Sequence, residues 1–298
     1  MLERNWRGEL RVDLPMSGHV SWRAGGKAAR AYFPTDLEDL ALFLKSLRHD
    51  EPLLFVGLGS NLLVRDGGFN GTVIFTRDAL GRLRHEADGC IYAEVGVTSA
   101  KLARYAASLG LAGAEFLAGI PGSLGGALAM NAGCYGGEVW SFVRRVLMLD
   151  RWGNRVERLP ADFSIAYRHV GLAHSCDEWF AAAWLDFPAG DGNEARERIR
   201  ALLDARANSQ PLNLPNAGSV FRNPPDDHAA RLIEAAGLKG YSIGGARVSE
   251  KHANFIVNPD SAATATEIEM LIDHVRASVK QKFGVELVRE VRIVGART

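Results

Sequence analysis

Ser219 stands in the stretch Asn216-Ala-Gly-Ser-Val-Phe-Arg-Asn-Pro224, a Gly/Pro/Asn-rich turn where two polar amides flank a hydroxyl. Gly218 lets the backbone bend or approach a ligand closely, and Pro224 stops any regular element from continuing. A serine so placed can deliver a proton at short range if something else makes it acidic enough. Serines in turns also commonly hydrogen-bond only their own backbone, so the stretch alone leaves both readings open. Three further segments bear on it: Gly57-Leu-Gly-Ser-Asn-Leu-Leu-Val-Arg-Asp-Gly-Gly-Phe-Asn-Gly71, Gly119-Ile-Pro-Gly-Ser-Leu-Gly-Gly-Ala-Leu-Ala-Met-Asn-Ala-Gly133 and the terminal Val288-Arg-Glu-Val-Arg-Ile-Val-Gly295.

Gly57-x-Gly59 follows an apolar run, as a dinucleotide fingerprint would, but Leu62 stands where the third glycine belongs. Val64-Arg-Asp-Gly-Gly then breaks any helical pattern, which excludes the Rossmann reading. The second segment lacks Gly-Lys-Ser/Thr and is no P-loop. What remains is backbone amides turned inward. Ser60 and Asn61 offer short polar side chains, and flanking glycines let amides converge on an anion. Pro121 suits the first turn of a helix, with Gly122, Ser123, Gly125 and Gly126 against the ligand and the positive helix end toward a diphosphate. Two such segments in separate small units suit an extended dinucleotide such as FAD lying between them. Tight structural turns would look the same.

The elements that must position these segments are legible in outline. Ala28 to Phe33 reads as a short strand ending at Pro34. Thr35-Asp-Leu-Glu38 reads as a capping box ahead of a helix with Leu37, Leu40, Ala41 and Leu44 on one face. Leu53 to Val56 is a buried strand running into the first glycine segment. Cys90 to Val95 alternates like a strand, and Thr98 caps a helix that Gly110 ends. Strands are expected at Val143 to Leu149 and Trp179 to Phe187, with Arg151-Trp-Gly-Asn154 as a hairpin turn. A charged helix from Glu194 to Ala207 leads to the Pro/Asn-rich stretch Gln210 to Pro215, a domain boundary. Beyond it, Thr264-x-x-Glu267 opens a helix with Ile268, Leu271, Ile272, Val275 and Val279 as its apolar stripe. Val285 to Val294 reads as a closing strand.

The chain has 298 residues, enough for two or three compact units. Lys plus Arg equals Asp plus Glu at 35 each, which argues against a sequence-independent nucleic-acid binder. Its 32 glycines cluster, as they do where backbone wraps a ligand. Cys90, Cys134 and Cys176 are distant and without CxxC spacing, so reduced thiols are expected, with no disulfide framework and no metal site. No apolar run is long enough to span a membrane, and Met-Leu-Glu-Arg-Asn-Trp lacks a signal-peptide core. A cytoplasmic protein, monomeric, without nucleic-acid or membrane partners, is the expectation.

In their order, the four segments resemble the UDP-N-acetylenolpyruvoylglucosamine reductases, flavoenzymes of bacterial cell-wall synthesis. The resemblance runs from about Gly25 to Gly295. It implies an α+β chain: a two-subdomain FAD-binding fold of the vanillyl-alcohol-oxidase (PCMH) type plus a C-terminal α+β substrate domain, divided as 1–76, 77–208 and 209–298. It implies FAD held by Gly57, Gly59, Ser60, Asn61, Leu62, Pro121, Gly122, Ser123, Gly125, Gly126, Asn131 and Gly133. Some proteins of this fold attach flavin to a histidine; neither glycine segment carries one, so non-covalent FAD is expected. With NADPH as reductant, hydride passes through the flavin to the enolpyruvyl methylene carbon, and the adjacent carbon is then protonated. Small molecules are thus the expected partners.

The catalytic residues that the resemblance implies are Arg168, Ser219 and Glu290. A guanidinium stays cationic and binds a carboxylate through two donors, although a lone arginine also serves in surface ion pairs. Glu290 lies in an apolar run, where partial desolvation would favour its neutral, donating form; a solvent-facing strand position is the alternative. Ser219 becomes the proton donor to carbon. Tyr167, Asn223, His252 and Asn254 are the expected substrate contacts, the last two equally open to structural roles. Three features depart from the family. His169-Val170 stands where an acidic residue and serine are common. Ser209-Gln210 replaces a diphosphate-binding lysine, for which Arg206 or Lys251 could substitute. No added segment matches the mobile tyrosine loop of the longer type, so the chain resembles the shorter one. The competing readings are an FAD-dependent sugar or alcohol oxidase of the same fold and a non-catalytic nucleotide-binding relative.

Overall fold

The computed structural model describes residues 5–173 and 177–298; Cys176 lies outside them. Packing divides the chain into two compact units. The first comprises the stretch ending at Arg11, Ala31–Gly57 and Thr72–Ala205; the second comprises Val12–Arg30, Leu58–Gly71 and Arg206–Thr298. The chain therefore leaves the first unit at Gly57, inside the first glycine segment, and that segment's remainder packs with the C-terminal residues.

The first unit is built on an antiparallel five-stranded sheet in the order Arg155–Arg158, Val143–Asp150, Glu178–Leu185, Ile91–Glu94, Leu83–His85. Its helices are α1 (Leu37–Ser46), α2 (Ser99–Ser108), α3 (Leu124–Ala129) and most of α4 (Gly192–Ser209). Thr98 caps α2 by accepting the Lys101 N–H, and Gly110 beyond its end has φ +70, as the sequence pattern implies. The cap of α1 falls one residue later than expected. Asp36 accepts the Asp39 N–H at 2.8 Å, while Thr35 only donates its own N–H to Asp39. Val156 pairs with Met148 and Leu149 with Arg155, so Arg151–Asn154 is the hairpin turn, with Gly153 at φ +74. Leu53–Val56 pairs in parallel with Thr72–Phe75.

In the second unit, Ser242–Ile243, Ala246–Val248 and Ile256–Val257 form a small antiparallel sheet. Helices α5 (Ala229–Ala235) and α6 (Ala265–Phe283) belong to its core with Trp22, Leu63 and Phe221. Thr264 and Glu267 close a reciprocal capping box on α6, and all five stripe residues are buried. Trp22 is fully buried with its indole N–H on the Ile256 carbonyl at 2.8 Å, which satisfies the one polar atom of its side chain.

The expected closing strand over 285–294 is shorter. Only Arg292–Val294 is regular, and it pairs in parallel with Leu62–Val64. Its approach, Val288 to Glu290, instead makes single bonds with the Ser219 segment: Arg222 N–H to the Val288 carbonyl at 2.9 Å, an isolated bridge between Phe221 and Arg289, and Glu290 N–H to the Val220 carbonyl at 2.8 Å. Those bonds bend the chain out of a continuous ladder.

Candidate active site

The second glycine segment, in the first unit, starts α3 at Leu124 and not at Pro121, which lies two residues before the cap Ser123. The first two helical amides are taken by protein carbonyls. Leu124 N–H donates to the Val97 carbonyl at 2.8 Å and Gly125 N–H to that of Val95 at 3.0 Å. Gly122 gives its carbonyl to Ser99 N–H. Two glycines pack closely against neighbouring side chains, Gly125 without room for a Cβ of its own. A Cβ on Gly57 would lie 2.1 Å from Ser123 Oγ, and one on Gly125 would lie 2.9 Å from Val95 Cβ. Gly126 differs: a Cβ there would meet nothing within 4 Å. The face at Gly126 is open, and a bound group can lie against bare backbone there. The chain fits a cofactor at that face, with fewer amide donors than the sequence pattern implied.

Arg168 lies in the hairpin of Phe163–Ala166 and His169–Leu172, whose two-residue turn is Tyr167-Arg168. Its φ of +53 is the left-handed region that glycine or asparagine usually fills. The guanidinium donates to the Gly133 carbonyl at 2.6 Å and to that of Asn131 at 3.3 Å. It also lies 5.1 Å from the ring centre of Tyr167, which is 47% exposed. Asn131 is buried, with φ +45. Its amide donates to Glu138 at 2.9 Å and to the Ala166 carbonyl at 3.4 Å, and its oxygen accepts the Trp140 N–H at 3.3 Å. Asn131 and Gly133, expected at the cofactor, thus hold the arginine hairpin. A Cβ on Gly133 would lie 2.3 Å from the Gly137 carbonyl, the tight strand pair that requires glycine.

In the second unit, the Ser219 turn is shaped by Asn216. Its Oδ1 accepts the Gly218 N–H at 2.9 Å, and its amide donates to the Leu214 and Pro211 carbonyls. Gly218 has φ +75 with open space beside it. Ser219 is half-buried. Asn223 is exposed, and its Oδ1 accepts the Ala229 N–H at 3.1 Å, capping α5 where His228 does not.

Glu290 is half-buried and fixed from two sides. Its N–H donates to the Val220 carbonyl, and its carbonyl accepts Asn61 Nδ2 at 3.2 Å. Asn61 also accepts the Arg292 N–H at 3.1 Å, and Leu62 sits within the parallel pair. Asn61, an expected flavin contact, therefore holds the backbone of the residue that carries the expected carboxyl. Gly59 has φ +62 and a carbonyl that accepts the Ser21 N–H; a Cβ there would lie 2.2 Å from the His19 carbonyl. Ser60 beside it is half-buried.

Asn254 is 3% exposed, and its amide faces the Phe221 backbone. His252 stacks edge-on against Phe255 at 4.7 Å, and its Nδ1 is buried without a hydrogen-bond partner among the described residues. Burial pushes its pKa down, with Lys239 adding to the effect. Lys251 gives its ammonium to the Ala207 carbonyl at 2.6 Å, and Arg206 donates to Gln210 at 2.9 Å. Both candidates for the missing lysine thus have protein partners. Among the described residues, no group of three or more metal-ligating side chains occurs, and no helix is long and apolar enough to cross a membrane.

Fold and site together define a flavin-binding α+β oxidoreductase: residues 28–158 match the FAD binding domain. Residues 210–294 match the C-terminal domain of UDP-N-acetylenolpyruvoylglucosamine reductase, and the chain belongs to that family. It is 56% identical to the UDP-N-acetylenolpyruvoylglucosamine reductase of Thiobacillus denitrificans, over 98% of this chain and 94% of the relative. It is 56% identical to that of Methylococcus capsulatus, over 97% and 94%. The crystal structure of the Thermus caldophilus reductase superposes with a TM-score of 0.80 at 29% identity, covering 96% of this chain and 98% of the other.

Proposed function

We propose that this chain reduces UDP-N-acetylenolpyruvoylglucosamine to UDP-N-acetylmuramate for peptidoglycan synthesis, with FAD bound non-covalently and NADPH as reductant. FAD, when bound, supplies the hydride that the enolpyruvyl methylene carbon takes up, and NADPH replenishes it. The chain's own residues handle the charge and the proton. Hydride addition leaves negative charge on the adjacent carbon, spread into the carboxylate. The Arg168 guanidinium binds that carboxylate through paired donors. Glu290, in its neutral form, donates a hydrogen bond to the developing enolate. Ser219 gives its hydroxyl proton to carbon; a hydroxyl is a weak acid, and the carbanion's basicity drives the transfer. Tyr167 and Asn223 contact the substrate, and the glycine segments, Gly126 above all, would hold the flavin.

The observation that supports this most is the Val220 carbonyl accepting the Glu290 N–H at 2.8 Å. It fixes the backbone of the carboxyl-bearing residue beside that of the hydroxyl-bearing one. We assign 1–76 and 77–208 to flavin binding and 209–298 to substrate binding. The same reading makes the protein a cytoplasmic monomer that supports cell-wall growth, and through it cell shape and division. Purified protein should be yellow, and acid or heat should release the flavin from the polypeptide. Under anaerobic conditions NADPH should bleach the flavin, and UDP-N-acetylenolpyruvoylglucosamine should restore the colour. Recovery with oxygen alone would make the chain an oxidase and overturn the reading.

A further inference from the structure

Ser219 follows a glycine with open space beside it, so side-chain packing on that flank does not restrain it. Its restraint comes from the other side. The Val220 N–H donates to the Asn254 carbonyl at 2.9 Å. The Phe221 N–H donates to Asn254 Oδ1 at 3.0 Å, and Asn254 Nδ2 donates to the Phe221 carbonyl at 2.8 Å. One residue thus makes three bonds to the two residues after Ser219, and its amide behaves as a strand partner, offering donor and acceptor side by side. The remaining group of this pair, the Val220 carbonyl, accepts the Glu290 N–H. Val220 and Phe221 are both buried, so every one of these backbone groups needs a partner.

We propose that Asn254 is a positioning residue for proton delivery: its amide clamps Phe221 and so holds the Ser219 hydroxyl in register with Glu290. The requirement is specific to asparagine. Aspartate when ionised cannot donate to the Phe221 carbonyl, glutamine is one methylene too long, and alanine leaves two buried backbone groups without partners. The inference rests on the reading of Ser219 as the proton donor.

The test uses the flavin-loaded protein and separates the half-reactions by anaerobic stopped flow, for Asn254→Ala, Asn254→Asp and Ser219→Ala. Asn254→Ala should leave NADPH-driven bleaching within about twofold of the parent and slow substrate-driven recovery about 10- to 100-fold, the scale of a small misplacement of a reacting group. Amide exchange across 216–224 should quicken about tenfold in the same variant, a readout independent of turnover. Asn254→Asp decides the matter if the alanine variant does not fold. Its introduced carboxyl can donate to the Phe221 carbonyl only when protonated, so substrate-driven recovery should approach the parent's as pH falls, with bleaching unchanged relative to the parent. Equal slowing of both half-reactions would make Asn254 a fold residue and overturn the proposal, as would unslowed recovery with faster exchange. If Ser219→Ala itself recovers at the parent's rate, the reading of Ser219 fails; if Ser219→Ala is slow and the Asn254 variants are not, only the clamp fails.

Discussion

In the Arg168 hairpin, two four-residue strands meet through Tyr167 and Arg168, and the long arginine side chain reaches back to carbonyls of the preceding glycine segment. In the Ser219 segment, the short side chain is placed by the backbone itself: Val220 and Phe221 are bonded to Asn254, Arg222 to Val288, and Glu290 to Val220. The difference matches the two tasks proposed for these residues. Attraction between a guanidinium and a carboxylate falls slowly with distance and tolerates a flexible stem. Proton transfer needs heavy atoms within about 2.6–3.2 Å, which a hydroxyl one carbon from the backbone reaches only if the backbone is fixed. A strained turn residue can serve the first task, whereas the second calls for main chain fixed close by, as it is at Val220 and Phe221.

The comparison is broken most directly at Ser219. Ser219→Ala should leave NADPH-driven flavin reduction nearly intact while turnover falls about a hundredfold or more, the scale for losing a positioned acid. Ser219→Cys should retain more activity than alanine, because a thiol still donates a proton. Stopped-flow measurement of both half-reactions checks this, and an alanine variant with near-normal turnover would remove Ser219 from the mechanism.

A smaller effect is expected at the hairpin. Arg168→Lys keeps the charge but loses the two-donor fork, so the KM for substrate should rise about tenfold with a lesser fall in kcat. A fall in kcat at unchanged KM would mean that Arg168 acts on the developing charge alone and not on substrate binding.

The smallest effect is one of pH. Glu269, buried on α6, takes two bonds from Arg65 at 2.7 and 2.9 Å and one from Arg297 at 3.0 Å. The Arg65 hydrogen bond chiefly holds its pKa at about 2, against an ordinary 4.5, despite burial acting the other way. A depressed carboxylate contributes stability that is present above pH 4.5 and lost as pH falls toward 2. Arg65 also donates to the Gly295 carbonyl, so this loss loosens the pairing of Leu62–Val64 with Arg292–Val294. Amide protection, taken relative to the intrinsic exchange rate at each pH, should fall there at pH 3 compared with pH 6, more than in the 163–172 hairpin. Glu269→Gln should lower the midpoint of unfolding at neutral pH by a few degrees and flatten its acid dependence, which calorimetry would check. Equal acid sensitivity of the parent and Glu269→Gln would exclude Glu269 as the group responsible.

Local chemistry carried much of the fold into the sequence. Thr98 and Thr264 as caps, the α6 stripe and the Arg151–Asn154 turn are each decided within a few residues, because caps, helical period and turn dihedrals depend on near neighbours. The types of Arg168, Ser219 and Glu290 likewise stated what chemistry each could do. The choice of partner was not written locally. The α3 amides could have faced an anion, but the carbonyls of Val95 and Val97 took two of them. The Asn61 amide reaches Glu290, 229 residues away. Asn254 carries a donor and an acceptor that would suit a ligand equally well, and only packing put Phe221 in front of them. Residue type determines which bonds a side chain can make; the tertiary structure decides which are made, because it brings together groups whose separation along the chain leaves no local trace.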